Sequence, residues 1–552
     1  MIELQGKSVS TGIAIGKILF FQRNTYHIPE YTITDIDAEL KRLDNALNSS
    51  REKMQRLYQE AIQKVGKNQS LIFQIHQMIL EDSKFYGHAR EIIQKQHKNC
   101  EFAVKATGEY VAGIFRSMDD EYLQARANDV IDASNTLLNI LIGSKNKSNF
   151  SEEPSIIAAD DLLPSETISF KKENILGFIT NSGSQNSHTA ILSRTMELPS
   201  VVQVKTALQE YNGMYAILDG QTGKIFIDPD RGTLTLYRAK KERYLKQRML
   251  FKRQIGLPSV TKDGRKIILS ANIGLLDDIS AAQKNDAEGI GLFRSEFLFI
   301  ERKSAPDEEE QFTAYRTVLK AAGEHRAIIR TIDIGADKSL GYLNLPKEEN
   351  PVMGCRGVRL CLQNQEIFIT QLRALLRASV YGHLGILIPM IISLEEIDAV
   401  KRIIEKVKYD LRLEGIPYAD DIQLGIMIET PAAAMISDYL AKEVDFFSIG
   451  TNDLTQYGLA IDRQNESLEP FYQPHHKAIL RLIKIAIDNA HKAGIWCNIC
   501  GELAADTRLT PLFLAMGIDE LSMVPSKILP VRAKVRELTL ANQKEILKKT
   551  LE

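Results

Sequence analysis

Leu424-Gly-Ile-Met-Ile-Glu-Thr-Pro431 and, further on, Phe446-Phe-Ser-Ile-Gly-Thr-Asn-Asp453 share one pattern: a short apolar run that ends in polar turn residues and a carboxylate. Apolar runs of this length, bounded by turn residues, read as buried strands. Working outward from them, the same unit recurs after Gly256-Leu-Pro258. Strands are expected at Ile267–Ala271, Gly289–Phe293, Ala327–Ile332, Gly385–Met390, Leu424–Ile428, Phe446–Ile449, Trp496–Ile499 and Glu520–Met523, with amphipathic helices between them. Eight strand–helix units over roughly 290 residues predict a (β/α)8 barrel, whose active site lies at the C-terminal ends of the strands.

Upstream the pattern differs. Val9 to Phe21 is rich in β-branched and aromatic residues and reads as strands. From Ile36 the apolar positions run Ile36, Leu40, Leu43, Leu47, Met54, Leu57 and Ala61, with a polar step at Ser50. Steps of three and four residues form the seam of packed helices. Lys64 to Ser70 reads as a break, followed by a helix through Leu71, Ile75 and Ile79 and more helix from Glu101 to Ile142. An antiparallel helical bundle is therefore expected as an insertion. After a polar linker, Gly143 to Glu153, strand signals return at Ser155–Ala159, Ile175–Thr180, Tyr215–Leu218 and Lys224–Ile227. Within this second α/β segment, Gly183-Ser-Gln-Asn-Ser-His188 runs into Thr189-Ala-Ile-Leu-Ser-Arg194. That places His188 at a helix start, where the helix dipole favours a neutral imidazole and attracts oxyanions. A neutral imidazole is a nucleophile, although a single histidine taken alone is more often structural.

The 552 residues carry a net charge of −2, so there is no basic footprint for nucleic acid. No apolar run approaches the length needed to span a bilayer, and Met1-Ile-Glu-Leu-Gln-Gly6 lacks the layout of a signal peptide. Five cysteines, an odd number in a long chain, argue against a disulfide framework and for a reducing cytoplasm.

The ends of the barrel strands carry the chemistry. They read Arg294-Ser-Glu296, Arg330-Thr-Ile-Asp333, Glu429-Thr-Pro431, Gly450-Thr-Asn452-Asp453 continuing to Asp462-Arg463, and Cys500-Gly-Glu502, with Gly354-Cys-Arg356-Gly-Val-Arg359 in the loop before the fourth strand. Arginine matches phosphate and carboxylate bidentately. Two carboxylates plus substrate oxygens suit Mg²⁺, which prefers hard oxygen ligands. The implied ligand is small, anionic and phosphorylated. Each residue alone could be an ordinary surface ion pair; their joint placement at strand ends argues otherwise. Cys497-Asn-Ile-Cys500 spells C-x-x-C, but one such pair is not a four-ligand zinc site. On a strand the two thiols face opposite ways, which assigns Cys500 to the rim and Cys497 to the core.

These residues resemble Enzyme I of the bacterial phosphotransferase system, the phosphoenolpyruvate–protein phosphotransferases. The resemblance rests on Phe447-Ser-Ile-Gly-Thr-Asn-Asp-Leu-Thr-Gln-Tyr457, Gly291-Leu-Phe-Arg-Ser-Glu-Phe-Leu-Phe299, Ile426-Met-Ile-Glu-Thr-Pro431 and Cys500-Gly-Glu-Leu503. It extends upstream through Gly12-Ile-Ala-Ile-Gly-Lys17, Ile72-Phe-Gln-Ile-His76, Leu80-Glu-Asp82 and Leu163-Pro-Ser-Glu-Thr167. It implies a multidomain α/β protein. A swivelling phosphohistidine α/β domain would take residues 1–30 plus 146–230, with an inserted helical HPr-binding domain at 31–145. A linker helix would follow at 231–257, and a phosphoenolpyruvate-binding TIM-type barrel at 258–552.

It also implies roles. Arg294, Arg330 and Arg356 grip the substrate phosphate; Asn452, Asp453 and Arg463 bind the remainder; Glu429 and Asp453 hold Mg²⁺. His188 accepts the phosphoryl group, Thr167 sets its tautomer, and Cys500 protonates enolpyruvate to pyruvate. The acceptor is the phosphocarrier HPr, and the barrel forms a homodimer. The barrel motifs alone are shared with pyruvate phosphate dikinase and phosphoenolpyruvate synthase, but no glycine-rich nucleotide loop is present. A regulatory paralogue that binds phosphoenolpyruvate without efficient transfer is the competing class.

The departures from the family pattern concentrate beside His188. Gly-Gly-Arg-Thr-Ser-His is usual there, whereas this chain has Ser184, Gln185 and Asn186 in place of glycine, arginine and threonine. Losing the arginine removes a positive charge near the acceptor ring and is expected to slow transfer or weaken its stabilisation. Ala336, Ala505 and Gly458 are milder changes. The chain stops soon after Ala541-Asn-Gln-Lys-Glu-Ile-Leu547, so a last helix is expected to be missing.

Overall fold

The computed structural model describes the chain except residues 23–27, 66, 118–120, 144–152, 184–186, 301, 303, 336–339, 344, 464, 541–544, 546 and 549–552. It divides into two compact units, Met1–Arg248 and Met249–Glu552.

The first unit is built on an eight-stranded sheet. Its strands are β1 (Ile2–Gln5), β2 (Lys7–Ser10), β3 (Ile13–Phe20), β4 (Ser155–Ala159), β5 (Ile175–Thr180), β6 (Ser200–Val202), β7 (Tyr215–Asp219) and β8 (Lys224–Ile227). They lie in the order β1-β8-β7-β3-β4-β5-β6-β2. β3 runs parallel to β4 and antiparallel to β7, so the segment before the helical insertion pairs with strands from after it. Two strands escaped the sequence reading, β1 and β6, and of β2 only the end fell within the strands expected from Val9 to Phe21. Each is only three or four residues long, too short to show a period.

Between β3 and β4 lie helices Ile36–Val65, Lys67–Glu81, Ser83–Gln96, Cys100–Arg116 and Glu121–Leu141. The break expected over Lys64 to Ser70 is narrower, since one helix reaches Val65 and the next begins at Lys67. The helix Ser83–Gln96 was not anticipated; Asp82 caps it, accepting a hydrogen bond from the Lys84 N–H. The seam residues Leu40, Leu43 and Met54 are buried, as is the polar step Ser50.

The second unit is a closed, all-parallel barrel of β9 (Ile268–Ile273), β10 (Ile290–Arg294), β11 (Arg326–Arg330), β12 (His383–Ile388), β13 (Gln423–Ile428), β14 (Phe446–Ile449), β15 (Trp496–Ile499) and β16 (Glu520–Met523). β16 pairs with β9 and closes the ring. Strand parity divides the core. Ile426, Ile428, Cys497 and Ile499 pack outward against the helices, while Leu292, Ile328, Leu387, Met427, Phe446 and Cys500 fill the barrel interior. Cys497 and Cys500 therefore face opposite layers, as the spacing requires. Arg326 stacks on Trp496 at 3.8 Å and Trp496 on Phe446 at 4.4 Å. The eighth unit has its helix, Ile528–Glu537. Its Arg532 is fully buried and pairs with Asp286.

Candidate functional site

The ends of β10, β11, β13, β14 and β15 bring the expected residues to one end of the barrel. Glu429 directly follows β13 and is wholly buried. One of its oxygens accepts the Met390 N–H at 2.6 Å; the other, Oε2, has no hydrogen-bond partner. Asp453 lies in the first turn of helix Thr451–Leu459 after β14 and is buried, with its Oδ1 unsatisfied. Burial first, then the charges of Asp453 and Asp333, raise the Glu429 carboxyl well above the ordinary carboxylate range, against the pull of Arg330 and Arg356. Two buried carboxylates with orphaned oxygens are costly unless a cation joins them. Hard oxygen donors of this kind fit Mg²⁺, which completes its shell with water and substrate oxygens. Among the described residues no group of three or more potential metal ligands occurs.

Two of the three arginines are held by carboxylates. Arg330 pairs with Glu296 at 2.5 Å and with Asp333 at 3.1 Å. Arg356 donates to both oxygens of Asp333, through Nη2 at 3.0 and 2.9 Å and through Nε at 3.1 Å. Burial works against both charges, but the surrounding carboxylates outweigh it and hold both guanidiniums above their ordinary pKa. Asp333 is thus a shared counter-ion that aims two arginines. A guanidinium has five N–H donors, and Arg330 Nε–H is among those left without a partner. Arg294 is exposed and lies over the Phe297 ring at 5.1 Å. Arg463 stands 3.9 Å from Asp453 Oδ1 at the solvent edge. Asn452 accepts the Glu502 N–H at 3.0 Å and donates to its carboxylate at 3.4 Å.

Cys500 closes the floor. Its thiol is buried and points at the Ile449 carbonyl, 3.6 Å away. Burial pushes its pKa up to about 11, so it keeps its proton at neutral pH. Two glycines keep this corner tight. A Cβ on Gly450 would lie 2.9 Å from Glu429 Oε2, and one on Gly501 only 1.9 Å from Thr451 Oγ1.

Sequence reasoning quoted Glu296, Asp333 and Tyr457 in its motifs without assigning them roles. Tyr457 donates to the Val352 carbonyl at 2.6 Å and lies 3.5 Å from Arg356, bracing the loop before β12. Gln371 was missed altogether. Its amide accepts the Ile332 N–H at 2.9 Å and donates to Ser295 and Tyr315 at 3.0 and 2.9 Å. A glutamine inside an amphipathic helix gives no local sign of this; only its place on the apolar face could have hinted at it.

In the other unit, helix His188–Met196 begins where expected. Ser187 is its N-cap, accepting the Ala190 N–H at 3.4 Å. Ser184, Gln185, Asn186 and the His188 side chain lie outside the described residues. Gly183 precedes them in the left-handed region, φ 111°. Thr167 is buried on helix Pro164–Ser169, and its hydroxyl donates to the Pro164 carbonyl at 2.9 Å. Toward a ring N–H it is therefore left with an acceptor.

Known families and proteins share this organisation. Residues 249–540 match the PEP-binding domain of PEP-utilising enzymes, 5–126 their N-terminal domain and 151–223 their mobile domain. The phosphoenolpyruvate-protein phosphotransferase of Geobacillus stearothermophilus is 44% identical over 97% of this chain and 93% of its own length. That of Bacillus subtilis is 42% identical over 100% and 97%, and that of Staphylococcus carnosus 40% over 100% and 96%. Over almost its entire length, the chain belongs to the phosphoenolpyruvate–protein phosphotransferase family.

Proposed function

We propose that this protein moves the phosphoryl group of phosphoenolpyruvate onto His188 and from there onto a histidine of HPr. The observation that carries the reading is the strand-end cluster. Unsatisfied Glu429 and Asp453 oxygens lie beside arginines braced by Asp333, over a protonated thiol. Such a site suits a phosphorylated enol acid.

In this reading Arg330 and Arg356 hold the phosphate by their remaining N–H donors, with Arg294 at the edge. Asn452 and Arg463 bind the carboxylate end. Glu429 and Asp453 would hold Mg²⁺, which when bound supplies countercharge for the transferring group. The lone pair of a His188 ring nitrogen forms the N–P bond. The bridging P–O bond breaks, and its electrons stay on the enolate oxygen. Cys500 gives its proton to the methylene carbon, yielding pyruvate, and the resulting thiolate is reprotonated from water. The protein's work is positioning and charge neutralisation, as in other phosphoryl transfers. Thr167 fixes the tautomer of His188 by accepting its ring N–H. The bundle, residues 31–145, is the HPr-docking domain; residues 1–30 plus 146–230 form the swivelling phosphohistidine domain; the barrel carries the homodimer contact. Five unpaired thiols suit a reducing cytoplasm. Among the described residues no helix is long and apolar enough to cross a membrane.

Intact-mass measurement after incubation with phosphoenolpyruvate and Mg²⁺ tests this reading. One acid-labile phosphoryl adduct is expected, absent in His188→Ala and discharged by HPr. A wild-type protein that never gains the adduct refutes it.

A further inference from the structure

The helix that carries Thr167 is tied to the bundle as well as capped from within, where the Glu166 carboxylate accepts the Leu163 N–H at 2.7 Å. Helix Pro164–Ser169 has Leu163 at its N-cap, and leucine has no side-chain oxygen to offer the free N–H groups. Asp132, on helix Glu121–Leu141, takes that place. Its Oδ2 accepts the Ser165 backbone N–H at 3.0 Å and its Oδ1 accepts the Ser165 hydroxyl at 2.5 Å. The Asp132 side chain is only 2% exposed, so this is a buried carboxylate reaching across 33 residues of sequence. Next to it, Ile168 inserts among Met54, Ala61, Ile72 and Phe73 of the bundle. Thr167 lies between these two anchors.

Asp132 also opens a chain of polar groups into the bundle. The His76 ring is fully buried, and neither nitrogen has a hydrogen-bond partner. Its Nδ1 lies 3.8 Å from Asp132 and its Nε2 3.7 Å from Asp129, which in turn pairs with Arg126 at 2.8 Å. Phe73 meets the His76 ring edge to face at 5.9 Å. Moving Asp132 would unpair a buried carboxylate from the Ser165 N–H and hydroxyl, which is costly.

We propose that Asp132 is a positioning residue for phosphoryl transfer: as the external cap of helix Pro164–Ser169, it holds Thr167 in register with His188. The inference rests on the reading that Thr167 orients a phosphorylated His188. It adds that this orientation is set from the bundle, across the junction between the two parts of the first unit.

The test compares wild type with Asp132→Ala, Asp132→Asn and Ser165→Ala in the full chain, each first shown to be folded by circular dichroism. Nitrogen NMR of the His188 ring reports the tautomer, and intact mass reports phosphoryl uptake from phosphoenolpyruvate. Asp132→Ala should convert a single ring tautomer into a mixture and slow uptake by about tenfold to a hundredfold, the range for a misplaced reacting group. Ser165→Ala removes only the hydroxyl contact and Asp132→Asn keeps one acceptor, so both should fall between. If Asp132→Ala does not fold, these two variants decide. A folded variant set with wild-type tautomer and uptake overturns the proposal. So does slow uptake with an unchanged tautomer, because Asp132 would then act by another route. A wild type that takes up no phosphoryl group sinks the functional reading instead, while the tautomer comparison still tests the positioning role.

Discussion

Asp333→Asn probes how the site stores its positive charge. Asp333 is 3% exposed and is shared by Arg330 and Arg356 through contacts of 2.9 to 3.1 Å. Asparagine keeps the shape but turns one oxygen into an NH₂ donor that faces N–H donors. Breaking a buried ion pair from one side costs about 3–5 kcal/mol. Arg330 retains Glu296, which argues for the lower end, about 3 kcal/mol. For a unit the size of this barrel, 1 kcal/mol corresponds to about 2 °C in melting temperature, so the barrel transition should fall by about 6 °C. The loss should also be partly reversible by an anion. Inorganic phosphate can supply the missing countercharge, and a ligand that binds only the folded state raises stability by mass action. The assay is a calorimetric melt of wild type and variant with and without phosphate. The variant should melt lower without phosphate and gain more from it than wild type does. An unchanged melt, or a drop with no larger phosphate gain, would refute the view that Asp333 is the stand-in counter-ion for the two arginines.

Other outcomes follow from the same geometry. Glu429→Gln should abolish the Mg²⁺ dependence of phosphoryl uptake while leaving the fold intact, because Oε2 has no protein partner to lose; titrating Mg²⁺ against adduct formation checks this. Cys500→Ala should slow exchange of pyruvate methyl protons into D₂O by about 10²- to 10⁴-fold, the usual contribution of a general acid or base, as read by proton NMR. The raised pKa of Cys500 means that the folded state prefers the protonated thiol. Its contribution to stability is therefore full below the ordinary thiol pKa of about 8.5 and is lost as pH rises toward about 11. Cys500→Ser should flatten that part of the stability–pH curve relative to wild type in denaturant melts; parallel curves would argue against the shift. In Gly501→Ala the added methyl would collide with Thr451, so a destabilisation of about 1–3 kcal/mol and a weakened affinity for phosphoenolpyruvate are expected by chemical denaturation and calorimetry.

Much of this architecture was legible in the residues. The alternation of apolar runs and amphipathic helices after Gly256 places the eight barrel strands within a few residues of their observed bounds. Strand parity alone separates Cys497 from Cys500. The convergence of the candidate site residues was legible too, because a barrel projects the residues that follow each strand to one end, whatever their distance in sequence. The passage from small polar residues into an apolar, helix-prone run marked the helix start at His188. All of these are local signals: period and turn are written within one element.

Partner choice is not local, and there only the tertiary structure could decide. Nothing around Arg330 or Arg356 shows that both turn to one aspartate, or that Gln371 braces the backbone at Ile332. The short strands β1, β2 and β6 exist because neighbouring strands offer their hydrogen bonds, not because their own residues insist on it. Asp132 has the same lesson: as sequence it is one acidic residue on a helix, and in the fold it caps another helix 33 positions away. Desolvation is the physical reason. A charge or free N–H that folding buries must find whichever partner the packed chain brings near, and that neighbour is set by the arrangement of whole elements.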